Sequence, residues 1–252
     1  GPLTGTAAPT GGRWSAITKG ALTGAIACSN SGGQFGGELK MAGWDLLILE
    51  GRAAKPVYLY IENDKATLQP ADDLWGQSIW DLEPAIKNAH SDPLIRIASI
   101  GPAGENGCRY ACIVNDLHRA AGRSGVGAVM GSKQLKAIAV RGSKGVGVRD
   151  PKAFDTALKS FFDILAESPA REGLSRNGTL AMMDVTGPYG ALPTRNNREV
   201  QFEGHEKLNV KAMQTPNENG HTNLIAGSAC FACTIGCGRL SHIDPTHFSV
   251  KD

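Results

Sequence analysis

The sequence lacks both an excess of one charge and a long apolar run, and these absences limit what the chain can bind. Its 26 basic and 24 acidic side chains leave a net charge of +2. An arginine-rich tract, which would favour a nucleic-acid partner, is missing. No apolar stretch reaches membrane-spanning length, and no secretory leader is recognisable. We therefore expect a cytoplasmic protein whose main partner is neither a nucleic acid nor a membrane.

The two ends of the sequence lack features of a complete chain. Residues 1–5 contain no initiator methionine and resemble the middle of a domain. The sequence stops at Asp252 without a closing element, shortly after a group of cysteines. We expect a piece of a longer protein.

Glycine is the residue type in clear excess, with 32 occurrences. These glycines follow no short period, which excludes a collagen-like or low-complexity chain. We expect them to serve local backbone geometry.

The hydrophobic pattern predicts an α+β protein with two domains. Residues 1–148 are expected to form a mixed β-sheet domain, and residues 149–252 the beginning of a mainly helical domain, whose first helix starts at Asp150-Pro151. Residues 170–225 are polar and rich in turn formers, and we assign no elements there. The predicted strands lie at 13–30 (one or two strands), 45–50, 57–61, 95–100, 110–114 and 135–140, and the predicted helices of the first domain at 34–42 and 78–90.

Three of the six cysteines are clustered near the end of the sequence. Two residues separate Cys230 from Cys233, and three separate Cys233 from Cys237. This spacing lets one tight loop direct three thiolates at three corners of an iron–sulfur cubane, while Gly236 and Gly238 free backbone amides to bond the sulfurs. A four-iron cluster needs a fourth ligand. The order of the gaps is the reverse of the radical-SAM arrangement.

Two alternatives to an iron–sulfur cluster remain open from spacing alone. His242 follows Cys237 after four residues, and three cysteines with one histidine form a structural zinc shell. A loop that binds no metal is the other alternative. The remaining cysteines are expected to be small buried thiols, namely Cys28, Cys108 and Cys112.

A glycine-rich segment between Arg119 and Gly127 has the composition of an anion site. Closely spaced glycines let backbone amides converge on an anion, and Arg119 and Arg123 add guanidinium groups that match phosphate geometry. The order Gly131-Ser132-Lys133 is wrong for a P-loop, and the segment after Gly127 is too short for a dinucleotide crossover helix. A pyrophosphate or pterin phosphate fits, and tight turns at sheet corners are the structural alternative.

The ordered set of motifs resembles the aldehyde:ferredoxin oxidoreductase family. Taken alone, Arg13 suggests a solvated surface charge and Asn30 a turn residue. Their segments nevertheless match the amino-terminal domain of that family, and the similarity covers almost the whole chain, being weakest between about residues 155 and 225. The matching stretches are 1–13, 30–40, 100–106 and 119–136, and residues 230–239 resemble the family's cluster loop.

The resemblance implies a tungsten or molybdenum bis-pterin cofactor on the first domain, a Mg²⁺ ion between its phosphates, and a [4Fe-4S] cluster. Arg13 matches the arginine that bridges pterin and cluster. The backbone carbonyls of Asn30 and Ala120 match the magnesium ligands. Further cofactor contacts match Gly32, Arg119, Gly122 and Arg123, and the cluster ligands match Cys230, Cys233 and Cys237.

The implied activity is oxidation of an aldehyde to a carboxylic acid, with electrons passing through the cluster to ferredoxin or a ferredoxin-like subunit. A homo-oligomeric state is left open. The alternatives are a benzoyl-CoA reductase-like or other paralogue with the same cofactor, and a non-catalytic zinc-binding fragment. The family's fourth cluster cysteine and its acid/base residues have no counterpart here, so no catalytic residue is assigned. We expect this chain alone to bind neither cofactor stably and to be inactive.

Overall fold

The computed structural model describes residues 1–241, which divide into two compact units. Unit 1 contains Gly1–Pro151 together with Cys230–Ala232, and unit 2 contains Lys152–Ala229 and the described residues from Cys233 onward. A mixed sheet with helices, followed by a mainly helical region, confirms the predicted α+β class. In the described part of the chain, no helix is both long enough and apolar enough to cross a membrane.

Unit 1 opens with a two-stranded antiparallel sheet, made by β1 (Trp14–Lys19) and β2 (Ile26–Ser31). Trp14 lies opposite Ser31. Side chains alternate between the two faces of a strand, so every second residue of β2 is buried and the others are exposed. Cys28 is on the exposed face. The prediction of a buried thiol is therefore wrong for Cys28, while Cys108 and Cys112 are half-buried.

A six-stranded mixed sheet forms the centre of unit 1. Strands β3 (Val57–Glu62) and β8 (Leu135–Arg141) are parallel, and the other neighbouring pairs are antiparallel. The central strand β8 is buried along most of its length, whereas the edge strand β4 is mainly exposed. In spatial order the strands are β4 (Lys65–Pro70), β3 (Val57–Glu62), β8 (Leu135–Arg141), β5 (Arg96–Ser99), β6 (Ile113–Asn115) and β7 (Arg119–Ala121).

Helices cover both faces of this sheet. One face packs Leu59 and Ile61 of β3 with Phe35 and Val126, and the other packs Tyr58 with side chains of the second helix. The alternation along β3 explains why neighbouring residues belong to different hydrophobic clusters. The helices of unit 1 are α1 (Phe35–Met41), α2 (Ile79–Ala89), α3 (Pro102–Glu105) and α4 (Val126–Ser132), with a 3-10 turn at Asp72–Leu74.

Three sequence predictions about strands need correction. Residues 45–50 form no strand, although their composition is strand-like, because no neighbouring strand in the described residues pairs with them. The strand predicted at 110–114 is limited to Ile113–Asn115. Strands β4 and β7 were not predicted. Strand β4 alternates polar and apolar residues but is mainly exposed, and β7 has three residues, too few to show a periodic pattern.

Unit 2 is mainly helical, and its first helix begins at Pro151, as the sequence predicts. In the described part of the chain, none of its α-helices carries a fully buried residue. Its last two strands pair in an antiparallel hairpin. The elements are α5 (Pro151–Ala166), α6 (Pro169–Asn177), α7 (Met183–Thr186), α8 (Val210–Gln214), β9 (Leu224–Ser228) and β10 (Gly238–Ser241), with 3-10 turns at Gly178–Met182 and His205–Lys207.

Candidate cofactor-binding site

The side chain of Asn115, at the end of β6, joins three segments of unit 1. It is 1% exposed. Its Oδ1 atom accepts hydrogen bonds from Trp14 Nε1 at 3.2 Å and from Ser31 Oγ at 2.7 Å. Its Nδ2 atom donates to the Gly32 carbonyl at 2.9 Å and to Asp116 Oδ2 at 2.7 Å. These four bonds use both acceptor positions and both donor hydrogens of the amide.

The carboxylate of Asp116 closes the amino end of α1. Asp116 Oδ2 accepts from the backbone amides of Gln34 at 2.7 Å and Phe35 at 3.4 Å. Its Oδ1 atom lies 3.8 Å from Arg96 Nη1. A negative charge is favourable at a helix amino end, where amides are left unpaired. Because these two amides already bind the Asp116 carboxylate, any other anion bound in this region needs different hydrogen-bond donors.

Gly33 lies where the network around Asn115 and Asp116 leaves no room for a side chain. Its φ of +86° is in the left-handed region. A Cβ atom there would lie 2.2 Å from Asp116 Oδ2, 2.4 Å from Asn115 Nδ2 and 3.2 Å from Arg119 Cγ. Only glycine satisfies both the backbone angle and the contacts.

The guanidinium group of Arg119, the first residue of β7, has two buried nitrogens. Its Nε and Nη2 atoms are buried and have no hydrogen-bond partner in the described part of the chain. Burying a charged donor without a partner is costly. A phosphate group presents two oxygens that match two guanidinium donors. The residues present at this site therefore fit an anionic group such as the phosphate of a pterin cofactor.

Arg13 and Cys230 both lie beside the buried residue Gly32. Arg13 Nε donates to Asn30 Oδ1, and Asn30 Nδ2 donates to Ser15 Oγ at 2.9 Å. A Cβ atom at Gly32 would lie 2.7 Å from Cys230 Sγ and 3.6 Å from Arg13 Nη1. A thiol and a guanidinium group, from segments far apart in sequence, thus face the same glycine.

Backbone hydrogen bonds and one aromatic side chain hold the segment Cys230–Ala232 against the rest of unit 1. The Phe231 amide donates to the Gly33 carbonyl at 3.0 Å, and the Thr10 amide donates to the Ala232 carbonyl at 2.8 Å. A Cβ atom at Gly37 would lie 3.1 Å from the Phe231 ring, and one at Gly12 would lie 2.7 Å from Phe231 Cβ. The two glycines allow the ring to approach the backbone closely.

The segments around Asn30 and Ala120 lie beside each other, because β2 contacts β7. The Arg123 amide donates to Ser29 Oγ at 3.0 Å, while the Arg123 side chain is exposed. Gly122 is exposed, and a Cβ atom there would meet only the Ala120 Cβ at 3.9 Å. The interpretation of Asn30 as a turn residue is wrong, because Asn30 belongs to β2. Ala120 belongs to β7.

Cys233 and Cys237 belong to unit 2. The loop around Cys237 is held by Arg239, whose Nη1 atom donates to the carbonyls of Gly236 and Gly238, each at 2.8 Å. In the described residues, no group of three or more His, Cys, Asp or Glu side chains could hold a single metal ion. A four-iron cluster distributes its thiolates over separate irons. His242, the fourth ligand of the zinc alternative, lies outside the described residues.

Sequence reasoning missed Asn115, Asp116 and Phe231. One signal was available for the first two, because a polar pair directly follows a predicted strand and precedes Arg119 by a few residues. No sequence pattern indicates that Phe231 contacts Gly12 and Gly37.

Profiles of one protein family match most of the chain. The profile of the aldehyde ferredoxin oxidoreductase N-terminal domain matches residues 1–142, and the profile of domains 2 and 3 matches residues 156–251. The chain belongs to the aldehyde ferredoxin oxidoreductase family.

Individual relatives agree with this assignment. The chain is 48% identical to the tungsten-containing aldehyde ferredoxin oxidoreductase of Pyrococcus abyssi and 47% identical to that of Thermococcus kodakarensis, over 96% of this chain and 39% of each relative. It is 30% identical to an aliphatic sulfonate oxidoreductase, WOR-like subunit, of Pyrococcus furiosus, over 100% of this chain and 41% of that protein. The chain thus spans about two fifths of the length of these relatives.

A solved structure shares the fold. The active site complex BamBC of benzoyl coenzyme A reductase, in complex with 1,5-dienoyl-CoA, superposes with a TM-score of 0.78 at 28% identity, over 96% of this chain and 38% of that one. The architecture of the chain is therefore common to enzymes whose names give different substrates.

Proposed function

We propose that this chain provides the pterin-phosphate-binding part of a tungsten-dependent oxidoreductase that oxidises aldehydes to carboxylic acids and transfers electrons to ferredoxin. Relatives at 47–48% identity are named as tungsten-containing aldehyde ferredoxin oxidoreductases. The observation that carries the proposal is the pair of buried Arg119 nitrogens that have no hydrogen-bond partner among residues 1–241, within the part of the chain that matches the family's N-terminal domain. Buried guanidinium nitrogens without such a partner favour an anionic ligand.

The residues have separate roles in this proposal. Arg119 donates to a pterin phosphate, and Arg123 adds positive charge at the solvent-facing side of the same segment. Arg13, which shares the surroundings of Gly32 with the thiol of Cys230, would contact the pterin. The backbone carbonyls of Asn30 and Ala120 supply oxygen ligands for Mg²⁺, which prefers oxygen donors. The remaining proposed contacts are Gly32 and Gly122, and the proposed [4Fe-4S] ligands are Cys230, Cys233 and Cys237.

The bound groups would supply the reaction chemistry: two-electron oxidation with oxygen transfer at the tungsten–pterin centre, and one-electron transfer at the iron–sulfur cluster. The residues of this chain hold and orient those groups. Burial of the Arg119 nitrogens excludes water from the phosphate contact, which strengthens the bond to an anion.

Metal and pterin analysis of the complete gene product tests the proposal. We expect anaerobically purified protein to contain tungsten, pterin and about four irons per cluster, and to reduce viologen dyes when aldehyde is added. Arg119→Lys retains the charge but loses the planar donor pair, so we expect lower pterin and tungsten content. A colourless protein with stoichiometric zinc and no pterin would establish the non-catalytic alternative instead.

A second candidate substrate class has specific support from the solved structure with a bound dienoyl-CoA. A benzoyl-CoA reductase-like paralogue would use the same cofactor fold on a coenzyme A thioester. Assaying the complete gene product with aldehydes and with aromatic coenzyme A thioesters distinguishes the two. Activity with thioesters alone would replace the aldehyde assignment.

A further inference from the structure

Arg13, Asn30 and Arg119, the proposed cofactor contacts, are each close in sequence to a residue that forms a hydrogen bond with the Asn115 side chain. Trp14 follows Arg13 directly, and Ser31 follows Asn30 directly. Asp116 begins the turn that leads to Arg119, with φ of 50° at Asp116 and 60° at Leu117. One buried amide is therefore bonded to all three segments.

We propose that Asn115 is a positioning residue, which sets the relative placement of the Arg13, Asn30 and Arg119 segments so that they converge on one phosphorylated ligand. The proposal rests on the proposed function, because it concerns the same phosphate site. Asn115 does not touch the ligand. It acts through Trp14, Ser31, Gly32 and Asp116.

The chemistry of the site requires an amide at position 115. Its two acceptor bonds come from an indole N–H and a hydroxyl, and its two donor bonds go to a carbonyl and a carboxylate. A carboxylate of the same shape would keep the acceptors but lose the donors. It would face the negative charge of Asp116 Oδ2 and the partial negative charge of the Gly32 carbonyl oxygen. Because Asp116 also holds the amides at the start of α1, a displaced Asp116 would move that turn as well.

A purely structural role makes a different prediction. A buried amide that only stabilises the fold would change the unfolding free energy, while the folded fraction would bind anions as before. A positioning residue changes the affinity of the folded protein. The buried Nε–H of Arg119 provides a local probe of binding, because it has no hydrogen-bond partner in the described residues.

The test is a titration of the full chain with magnesium pyrophosphate, followed through the NMR signal of Arg119 Nε–H, which is assigned by its loss in Arg119→Lys. For the wild type we expect a saturable shift. For Asn115→Asp we expect at least about a tenfold loss of affinity, equivalent to about 1.4 kcal/mol. Trp14→Phe and Ser31→Ala each remove one donor to the same oxygen, and we expect each to weaken binding by about two- to tenfold, the range of one net hydrogen bond.

Control variants separate a loss of positioning from the effects of an added negative charge and of lower stability. Asn88→Asp makes the same chemical change at an exposed residue of α2, and we expect its affinity to stay within about twofold of the wild type, because exposed charges are screened. The neutral variants Trp14→Phe and Ser31→Ala exclude simple repulsion by an added charge. If Asn115→Asp does not fold, these two variants decide the question.

The outcomes are distinct. No saturable shift at Arg119 in the wild type would overturn the phosphate site of the proposed function, and the role of Asn115 with it. A wild-type shift with unchanged affinity in folded Asn115→Asp, or in both neutral variants, would overturn only the positioning role. Lower thermal stability of the variants with unchanged affinity would assign Asn115 to the fold alone.

Discussion

At the scale of single residues, Gly33 shows how closely the backbone and polar side chains fit in unit 1. Its φ is +86°, and two polar side-chain atoms occupy the space of a Cβ atom. A left-handed φ costs a non-glycine residue about 1–2 kcal/mol. For Gly33→Ala we therefore expect a loss of unfolding free energy above that range, measured by urea denaturation, because Asp116 and Asn115 must also move.

Gly76 provides a matched control for this variant. Its φ is +88°, and among residues 1–241 no heavy atom outside Gly76 and its two chain neighbours lies within 4 Å of the position of a Cβ. Gly76→Ala should cost about 1–2 kcal/mol, the backbone strain alone. Equal losses for the two variants would show that the space around Gly33 opens without cost.

Tyr58 gives unit 1 an alkaline limit of stability. Burial raises the pKa of Tyr58, whose hydroxyl lies 2.8 Å from His90 Nε2. In the unfolded chain a tyrosine ionises at about pH 10. Below that pH the contribution of the protonated Tyr58 side chain to the unfolding free energy is fully present. It is lost as the pH rises from that value through the higher folded pKa, because the unfolded chain ionises first.

We expect Tyr58→Phe to flatten the fall of unfolding free energy that begins as the pH rises above about 10. The fall should not disappear, because burial and the neighbouring Glu62 and Asp92 also raise the pKa of Tyr60. Tyr110→Phe, at a residue that is 83% exposed, is the control and should leave the slope unchanged. An unaltered slope in Tyr58→Phe would contradict the assignment.

At the scale of secondary-structure elements, residues 45–50 show where sequence patterns fail. The composition of this segment predicts a strand, but a strand forms only when another backbone accepts its hydrogen bonds. Side-chain patterns contain no information about that partner. The prediction succeeded for β3, β5 and β8, whose apolar runs are buried in the sheet.

This segment also leaves apolar side chains exposed. Leu46 is 69% exposed and Ile48 is 76% exposed, whereas Leu47 packs against the hydrophobic core. Exposed apolar side chains that lie close together favour association. We expect the double variant Leu46→Ser/Ile48→Ser to reduce self-association in analytical ultracentrifugation without loss of stability. Leu47→Ser, the control, should lower the melting temperature, and unchanged self-association in the double variant would contradict this prediction.

At the scale of the whole molecule, Phe231 belongs to unit 1 although most of the surrounding sequence belongs to unit 2. Its ring packs against Gly37 of α1. Phe231 is half-buried, so we expect Phe231→Ala to cost about 1–3 kcal/mol, less than for a fully buried phenylalanine. The loss should appear in hydrogen exchange as reduced protection of the α1 amides.

The α5 amides should keep their protection in Phe231→Ala, because that helix belongs to unit 2. Phe161→Ala, at a residue of α5 that is 47% exposed, is the control and should leave the protection of α1 unchanged. Loss of protection in both helices would show that the two units unfold together.

The sequence predicted the α+β class, the central strands and the first helix after position 150, because each depends on local periodicity and turn residues. It also indicated that the glycine-rich segments near residues 30 and 120 take part in a binding site. It could not predict the network of Asn115, since the network depends on contacts between residue 14, residue 31 and residues 115–116. Local patterns do not record such long-range pairing.

The alternation of β2 has a consequence for insertions and deletions. Ser29 Oγ accepts from the Arg123 amide and Ser31 Oγ donates to Asn115, and both serines lie on the buried face of the strand. A one-residue slip would exchange the two faces and break both bonds at once. A one-residue insertion or deletion in the turn between β1 and β2 that shifts the register of β2 would therefore remove both hydrogen bonds together.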